Sequence, residues 1–536
     1  MPVIYDSTPL DERIEASLSK PFQHQAIQTA QNTIGGKRDR VVAANPRWEQ
    51  MRTSASKMRD HVLRNLDHYV SEFAKNAEAR GSHVHFAPTG ADAVDIAADI
   101  IEATGETFCV KAKSLLTEEI GLNEHLEQRG ITSLETDCAE VVLQTAQSAP
   151  SHIVVPALHF DRARIRDLFA EKLGYAGDEE PEHITRFLRD YLRPKFLQAR
   201  VGIVGCNFGV ASTGTCTLVT NEGNARMTTA LPETLIVVMG MERLVPDLPS
   251  LDVVNELLVG SAVGTKTTAY FTLNSGPRDE GEGDGPREAH IIVVDGGRHR
   301  ALGTKYQDIL RCIHCGACMN TCPVYRHITG HGYGSIYPGP VGVVLTPVLA
   351  GYDQTRKLPN ACTLCGACAC VCPVRIPLNT LILNHRTDMN EQGHGSRAEA
   401  AVFAGAGAFF GNRRVYGVLS GVGHVGMKLL WGRKGHLGAG TSWIPVLKGW
   451  TGSRDLDVMQ TKFRTQFKRQ KDELRRLNPE HGGAQTQGWR EAQAAAAKRA
   501  GGAGRPDRRP TGANGAAGAS GTTQANEGGA KRGGAR

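Results

Sequence analysis

The sequence has 536 residues, of which 40% are hydrophobic and 22% are charged, a composition that excludes a fibrous or wholly disordered chain. At about 150 residues per domain, this length predicts three or four domains. The net charge of +7 does not indicate a nucleic-acid-binding groove, because residues 481–536 hold nine Lys or Arg and three Asp or Glu and so account for +6 of it.

The N-terminal segment MPVIYDSTPLDE has neither the basic region nor the apolar region of a secretory signal peptide. The most apolar run of the chain, residues 400–411, is shorter than the ~18–20 residues that cross a bilayer. We therefore expect a cytoplasmic protein with no transmembrane segment, for which peripheral membrane contact is possible.

Residues 1–80 are predicted to form an N-terminal helical region, because apolar residues between Val62 and Phe73 recur at helical spacing. Residues 81–300 alternate short β-type runs with helical segments, which predicts an α/β domain with much parallel pairing. The β-type runs are 83–86, 107–110, 152–155, 201–204, 234–238 and 290–294. The helical segments are 91–102, 117–129 and 161–173.

The remaining chain divides by composition. Residues 301–385 are rich in cysteine and proline, with little room for regular structure, and residues 386–480 are mixed and partly helical. Residues 481–536 contain 14 Gly and 15 Ala with a single aromatic residue, Trp489. Such a segment cannot bury enough apolar surface to offset the entropy of ordering, so we expect a disordered Gly/Ala/Arg-rich tail.

Cysteine spacing is the strongest chemical signal in the chain. Nine of the 13 cysteines fall between Cys312 and Cys372, and clustering in a long chain without a signal peptide indicates metal ligands rather than disulfides. Eight of them form two Cys-x2-Cys-x2-Cys-x3-Cys-Pro motifs, 50 residues apart. The first motif is Cys312, Cys315, Cys318 and Cys322, and the second is Cys362, Cys365, Cys368 and Cys372.

This spacing is that of two-cluster ferredoxins, in which the last cysteine of each motif ligates the other motif's cluster. It predicts two [4Fe–4S] clusters with crossed ligation. The first cluster is assigned to Cys312, Cys315, Cys318 and Cys372. The second is assigned to Cys322, Cys362, Cys365 and Cys368.

Two alternatives bear on these cysteines. A structural zinc site is a poor match, because zinc takes four ligands, usually from two Cys-x2-Cys pairs with a longer spacer. Cys370 lies between two predicted ligands and is interpreted as a free thiol, with a substitute ligand or a redox-sensitive thiol as the other reading.

Weaker signals lie in the α/β segment. Lys111, Lys113, Ser114 and their neighbours follow a predicted strand, where they either cap a helix or bind a small anion. The polar residues between Asn221 and Arg226 either close a hairpin or line a ligand pocket. His152 and His159 are interpreted as structural. No catalytic residue is assigned.

Ordered segments along most of the chain carry a family resemblance. They include VKAKSLLTEEIGLNEHLE (110–127), PSHIVVPALH (150–159), CNFGVASTGT (206–215), VTNEGNARMTTALPE (219–233), DGPREAHIIVVDGGR (284–298), CIHCGACMNTCPVYR (312–326), LCGACACVCPVRIPL (364–378) and GWTGSRDL (449–456). On these segments the sequence, over about residues 10–470, resembles the lactate utilization protein B family, the iron–sulfur subunits of a three-protein L-lactate oxidation system.

The resemblance implies an α/β fold and a domain layout. Residues 81–300 would form a lactate-utilization (LUD) domain of the NagB/RpiA/CoA-transferase-like kind. Residues 301–385 would form an alpha-helical two-[4Fe–4S] ferredoxin module, and residues 386–480 the family's small C-terminal domain. In this family the position of Cys362 is often serine, so the cysteine here completes the second set.

The resemblance also implies a role as the iron–sulfur electron-transfer subunit of a complex that oxidises L-lactate to pyruvate when lactate is the carbon source. The partners would be lactate utilization proteins A and C, a cysteine-rich-domain protein and a smaller LUD-domain protein. Two alternatives stay open. One is an electron-transfer subunit of another 2-hydroxyacid oxidase, such as a glycolate oxidase feeding quinone. The other is a chain with structural clusters, whose α/β domain is an independent enzyme or binding module.

Overall fold

The computed structural model describes residues 3–395, 397–431, 436–437, 455–457 and 463–477, so the expected disordered tail lies outside the described residues. The chain divides into two compact units, Met1–Ala401 and Val402–Arg536. The first unit contains every predicted cluster ligand. The domain boundaries proposed within it stay predictions.

Four helices open the first unit. Proline at the first position starts the second of them, and Asn65 separates the third from the fourth, so the apolar periodicity between Val62 and Phe73 runs over two helices rather than one. Trp48, Val62 and Phe73 are buried. The helices are α1 (Leu10–Leu18), α2 (Pro21–Ala44), α3 (Trp48–Arg64) and α4 (Leu66–Glu78).

A six-stranded sheet forms the centre of the α/β region, and all its strands pair in parallel. Its two central strands are buried at every residue and rich in Val, Ile and Leu, as expected for a sheet covered on both faces. The strand order is β1 (His83–Ala87), β10 (Glu288–Val294), β7 (Thr234–Gly240), β4 (Val201–Gly205), β2 (Phe108–Lys111) and β3 (Thr132–Glu135). The α/β fold class is confirmed.

Helices connect these strands, and a second sheet of four strands lies in the same region. The helices are α5 (Gly90–Ala103), α6 (Leu115–Ile120), α7 (Leu122–Gln128), α8 (Cys138–Ala146), α9 (Arg162–Leu173), α10 (Pro181–Gln198), α11 (Asn224–Ala230) and α12 (Leu248–Ala262). The second sheet has the order β8 (Leu244–Val245), β5 (Phe208–Val210), β6 (Thr215–Thr220) and β9 (Tyr270–Asn274).

Two elements of this region differ from the sequence-based expectation. Residues 152–155 are not a strand, because the ring Nδ1 of His152 accepts the backbone N–H groups of Val154 and Val155 at 3.0 and 3.1 Å and folds the segment into a turn. The expected helix 117–129 is divided at Gly121, which adopts a left-handed conformation with φ 71° and ends α6.

The cysteine region contains more regular structure than its composition suggests. Its longest helices are apolar or amphipathic and bury their contact faces, so they add to the core that begins with α1 and α2. The helices are α13 (Ala317–Asn320), α14 (Pro323–Ile328), α15 (Gly339–Ala350), α16 (Tyr352–Thr355), α17 (Ala367–Val371) and α18 (Leu378–Glu391).

The remaining described elements are α19 (Arg397–Gly411), α20 (Arg413–Trp431), β11 (His436–Leu437), β12 (Leu456–Asp457) and α21 (Phe463–Leu477). The two short strands pair antiparallel. Helix α20 exposes Val418, Val422, Val425 and Leu429, one apolar row at helical spacing. Among the described residues, no helix is both long enough and apolar enough to cross a membrane.

A candidate two-cluster iron–sulfur centre and an adjoining cavity

The structure brings the first predicted ligand set together. Cys312, Cys315, Cys318 and Cys372 line one small cavity, although Cys372 lies more than 50 residues from the other three. Its other walls are mainly apolar and include Ile153, Ile313, Val341 and Ile376. The last cysteine of the second motif therefore lies with the first three cysteines of the first motif.

The second set is arranged in the reciprocal way. Burial raises the pKa of the Cys322 thiol, and the neighbouring thiols of Cys362 and Cys365 raise it further. Burial likewise raises the pKa of Cys368 to about 12, with Cys362 and Cys322 adding to the effect. Cys322 is thus a near neighbour of the second motif's cysteines.

The sequence repeat is also a repeat of backbone conformation. His314 and Leu364 occupy equivalent positions and have φ 54° and 56°, in the left-handed region that non-glycine residues rarely adopt. Gly316 and Gly366, two residues later, have φ 74° and 80°. Each Cys-x2-Cys-x2-Cys loop therefore winds in the same way, which turns successive cysteines toward a common centre.

Backbone N–H groups donate to a cysteine sulfur at the start and end of both motifs. The Sγ atoms of Cys312 and Cys362 accept from the residue two positions on, His314 and Leu364, at 3.4 and 3.2 Å. The Sγ atoms of Cys322 and Cys372 accept from Tyr325 and Ile376 at 3.4 and 3.3 Å. Such hydrogen bonds favour a negatively charged sulfur, as cluster ligation requires.

Arginines from distant parts of the chain surround the first set. Arg52 of α3 donates to the carbonyl of Cys372 at 2.8 and 3.0 Å, and Arg243 donates to the carbonyl of Cys312 at 3.0 Å. Burial raises the pKa of Cys312 to about 11, while the N–H of His314 and the cations of Arg243 and Arg59 lower it. These cations favour thiolates, and they would offset the negative charge of a thiolate-ligated cluster.

The second set is less enclosed. Its Cys365 is exposed, as is the neighbouring Cys370, whereas all four cysteines of the first set are buried or partly buried. Arg386 of α18 donates to the carbonyl of Cys362 at 2.6 Å. The carbonyl of Cys370 accepts from Arg52 at 2.7 Å, so the backbone of this extra cysteine helps to position α3, while its thiol faces solvent.

The eight cysteines fit two [4Fe–4S] clusters. Each set supplies four thiols, donated hydrogen bonds to sulfur and, for the first set, nearby positive charge. Bound clusters would each exchange one electron at a time, and the residues named above would hold them and set their potentials. Within the described residues, no group of three or more His, Cys, Asp or Glu side chains is arranged to hold a single metal ion.

A larger cavity of about 380 Å³ adjoins the first set. It lies at the carboxyl ends of β2, β4 and β7, where ligands of parallel α/β sheets usually bind. Ile313 and His314, which lie between two cysteines of the first set, form part of its wall. The cavity and the first ligand set thus share one loop.

A buried ion-pair network closes the inner end of this cavity. Arg298 donates two hydrogen bonds of 2.9 Å to the carboxylate of Glu119, and its Nε lies 2.8 Å from Glu242. Tyr337 also donates to Glu119. Gly240, at the end of β7, leaves room for this network, because a Cβ there would lie 2.4 Å from the Glu242 carboxylate.

The weaker sequence signals divide between the cavity and the core. Lys113 and Ser114 lie at the cavity wall, as do Asn221, Glu222 and Asn224, which close no hairpin but lead into α11. Lys111 instead points into a fully buried ion pair with Glu135. His152 and His159 are buried and hydrogen-bonded to protein groups.

The arginines around the first ligand set were not found from the sequence. Arg52 and Arg59 lie in an N-terminal helix, 183 to 320 positions before the carbonyl groups to which they donate. The only local signal is a basic residue on the apolar face of a helix, and such residues commonly extend their charge to solvent.

Comparisons with known proteins agree with this geometry. The LUD domain family matches residues 70–294, and the 4Fe-4S dicluster domain family matches residues 308–376. The first match ends at the last strand of the parallel sheet, and the second covers both cysteine motifs.

Curated relatives match over most of the chain. The "Uncharacterized electron transport protein YkgF" of Escherichia coli is 46% identical in sequence over a region that covers 88% of this chain and 98% of the length of the relative. Lactate utilization protein B of Shouchella clausii is 44% identical over 88% of this chain and 99% of its own. The Bacillus subtilis protein of the same name is 47% identical over 71% of this chain and 80% of its own. With a LUD domain, a 4Fe-4S dicluster domain and this similarity, the chain belongs to the lactate utilization protein B family.

Proposed function

We propose that this chain is the iron–sulfur electron-transfer subunit of a complex that oxidises L-lactate to pyruvate. The observation that carries the proposal is the grouping of the cysteines into two sets of four, with the last cysteine of each motif lying among the first three of the other. Two clusters held in this way would pass electrons one at a time from a donor to an acceptor.

The surroundings of the two sets suggest a direction for the electrons. The first set is buried or partly buried and shares a loop with the large cavity, whereas the second set includes the exposed Cys365. Electrons would therefore enter near the cavity and leave where the second cluster approaches the surface. The substrate is suggested by the names of the relatives, since lactate utilization is what those names state.

Oxidation of lactate to pyruvate releases two electrons and two protons, whereas each cluster accepts a single electron. Lactate utilization proteins A and C are the partners that we propose for this oxidation. Peripheral contact with a membrane stays a prediction, for which the exposed apolar row of α20 is the supporting feature.

The test is low-temperature electron paramagnetic resonance (EPR) on the tagged protein, purified without oxygen together with its partners. L-lactate should produce a reduced-cluster signal in the assembly, and dithionite should reveal two interacting clusters in this chain alone. If glycolate but not L-lactate produced this signal, glycolate rather than L-lactate would be the substrate. A chain that binds only one cluster would contradict the proposal.

Cys322→Ser tests the crossed ligand sets. Loss of this thiol should alter the signal of the cluster held by Cys362, Cys365 and Cys368, although Cys322 belongs to the first motif. Cys109→Ser is the matched control, because Cys109 is buried in β2 and lies in neither set. If Cys322→Ser altered only the cluster of Cys312, Cys315 and Cys318, the assignment would be wrong.

A further inference from the structure

The charged groups of the large cavity restrict what it can bind. Three cations and three carboxylate side chains line it: Lys113, Arg243, Arg298, Asp137, Glu222 and Glu242. Their charges balance, which disfavours a polyanion such as a nucleotide diphosphate. A ligand with at most one negative charge suits this lining better.

Most of these charges already have partners. Glu242 lies between Arg298, at 2.8 Å, and Arg243, at 3.4 Å. Asp137 caps α8 by accepting the N–H groups of Ala139 and Glu140. These groups are part of the wall and have little capacity left for a ligand.

Lys113 and Glu222 differ from the others. The ammonium group of Lys113 donates to the carbonyl of Val154 at 2.6 Å and, within the part of the chain that the structure describes, forms no ion pair. Glu222 lies exposed at the cavity rim, where one carboxylate oxygen accepts the N–H of Cys138 at 3.2 Å. Both residues line the same cavity, Lys113 from the segment after β2 and Glu222 from the segment after β6.

The rest of the lining is largely apolar. Helix α12 contributes Leu258, Val259 and Ala262, and β6 contributes Leu218. A cavity of about 380 Å³ is larger than a three-carbon acid requires, so it leaves space for an apolar substituent. One cation, one acceptor at the rim and apolar walls suit a monocarboxylate with a nearby hydroxyl group and an alkyl side.

We propose that this cavity binds a 2-hydroxy monocarboxylate with an apolar substituent, of which L-lactate is the smallest. Lys113 pairs with the carboxylate, and Glu222 accepts a hydrogen bond from the hydroxyl group. The alkyl group faces the apolar wall of α12. The inference rests on the proposed function, since it places the acid beside the Ile313–His314 loop of the first cluster, and it assigns the substrate site to this chain rather than to a partner.

The first test is calorimetric titration of the anaerobically purified, cluster-loaded chain with L-lactate, propionate and succinate. L-lactate should bind more tightly than propionate, which lacks the hydroxyl group, and succinate should bind weakly because of its second charge. Longer 2-hydroxy acids, such as 2-hydroxybutyrate, should bind at least as well as L-lactate. Absence of saturable L-lactate binding would overturn the inference.

Two variants separate the roles of the side chains. Lys113→Gln should weaken binding of L-lactate and propionate alike by about tenfold or more, as expected for loss of a charge-assisted contact. Glu222→Ala should weaken L-lactate binding while leaving propionate unchanged. Lys172→Gln, on the exposed surface of α9, is the matched control and should change neither affinity. Unaltered cluster spectra in all three variants show that the fold is intact.

The same variants in the partner-containing assembly distinguish this inference from the proposed function. If L-lactate reduces the clusters while Lys113→Gln leaves the KM for L-lactate unchanged, the proposed function stands and the cavity assignment is wrong. If the chain binds L-lactate as described but lactate reduces no cluster in the assembly, the binding site stands and the proposed function is wrong.

Discussion

At the scale of single residues, the environment of the first ligand set depends on arginines that lie far away in the sequence. Arg52 is buried, and its guanidinium joins the carbonyls of Cys370 and Cys372 to the carboxylate of Glu49. A cation in this position stabilises added negative charge more strongly than a surface cation does, because little water screens it. It should therefore favour the reduced form of a nearby cluster.

Replacing Arg52 with methionine should lower the reduction potential of the first cluster by tens of millivolts and leave that of the second nearly unchanged, because the lost cation lies against Cys372. A redox titration followed by EPR measures both potentials. Arg64→Met is the matched control, since Arg64 lies on the same helix but is exposed and pairs with Asp60. Equal shifts at both clusters would contradict this assignment.

At the scale of elements, sequence reasoning succeeded where a local pattern determines the structure. The strands around Val201–Gly205 and Thr234–Gly240 were evident as short Val- and Ile-rich runs between turns, and both cysteine loops follow from their spacing. It failed at residues 152–155, where two hydrogen bonds donated by backbone N–H groups to the imidazole ring of His152 override a β-type composition. Side-chain competition of this kind leaves no periodic signal.

The cavity was only partly evident from the sequence for a related reason. From the sequence, Lys113 was interpreted either as part of a helix cap or as part of an anion site. Glu222 was interpreted either as part of a hairpin turn or as part of a ligand pocket. Nothing in the sequence showed that they share one cavity, since 109 positions separate them and only the order of the parallel strands brings them together.

The contact between α15 and α18 leads to a prediction about acid stability. His385 of α18 is buried, where its Nε2 donates to the carbonyl of Val344 at 3.0 Å and its Nδ1 accepts from Tyr352 at 2.7 Å. Burial lowers its pKa to about 4 from an ordinary value of 6.5. The imidazole of His385 therefore binds a proton more readily in the unfolded chain than in the folded one. The contribution of neutral His385 to stability is complete above pH 6.5 and is lost as the pH falls toward 4.

When the pH is lowered from 7.5 to 5.5, the unfolding free energy of the wild-type protein should therefore fall by about 1 kcal/mol more than that of His385→Gln. Denaturant unfolding of both proteins at the two pH values measures the difference. His183→Gln is the control, because His183 is exposed on α10. If the wild-type protein and His385→Gln showed the same pH dependence, His385 would not be held neutral in the fold.

At the scale of the whole molecule, the N-terminal helices and the cysteine region form one structural body. Their largest core joins Ile27 and Trp48 to Tyr325, Val344 and Ile382. Gln31 of α2 donates to the carbonyls of Met319 and Cys322 at 2.8 and 3.2 Å. The parallel sheet has separate cores on its own faces.

Removing the clusters should therefore loosen α2 and the cysteine loops while the central strands stay protected, because ligand binding stabilises the structure that forms the site. After treatment with an oxidant and a chelator, backbone amides of α2 should exchange with deuterium about tenfold faster, and those of β4 and β7 at an unchanged rate. Hydrogen-exchange mass spectrometry measures both. Unchanged exchange in α2 would show that it is held without the clusters.

The first residues of the chain also contact the cysteine region, since Ile4 forms an antiparallel bridge with Ser335 and the N–H of Ile336 donates to the carbonyl of Val3. During synthesis, α2 leaves the ribosome roughly 15–60 s before the second cysteine motif, at about 5–20 residues per second. Until then Arg38 of α2 lacks the carbonyl of Val371, to which it donates at 3.0 Å. Because both motifs contribute to each predicted cluster, neither ligand set is complete until the second motif has been synthesised, so the N-terminal helices are made well before the clusters beside them can be inserted.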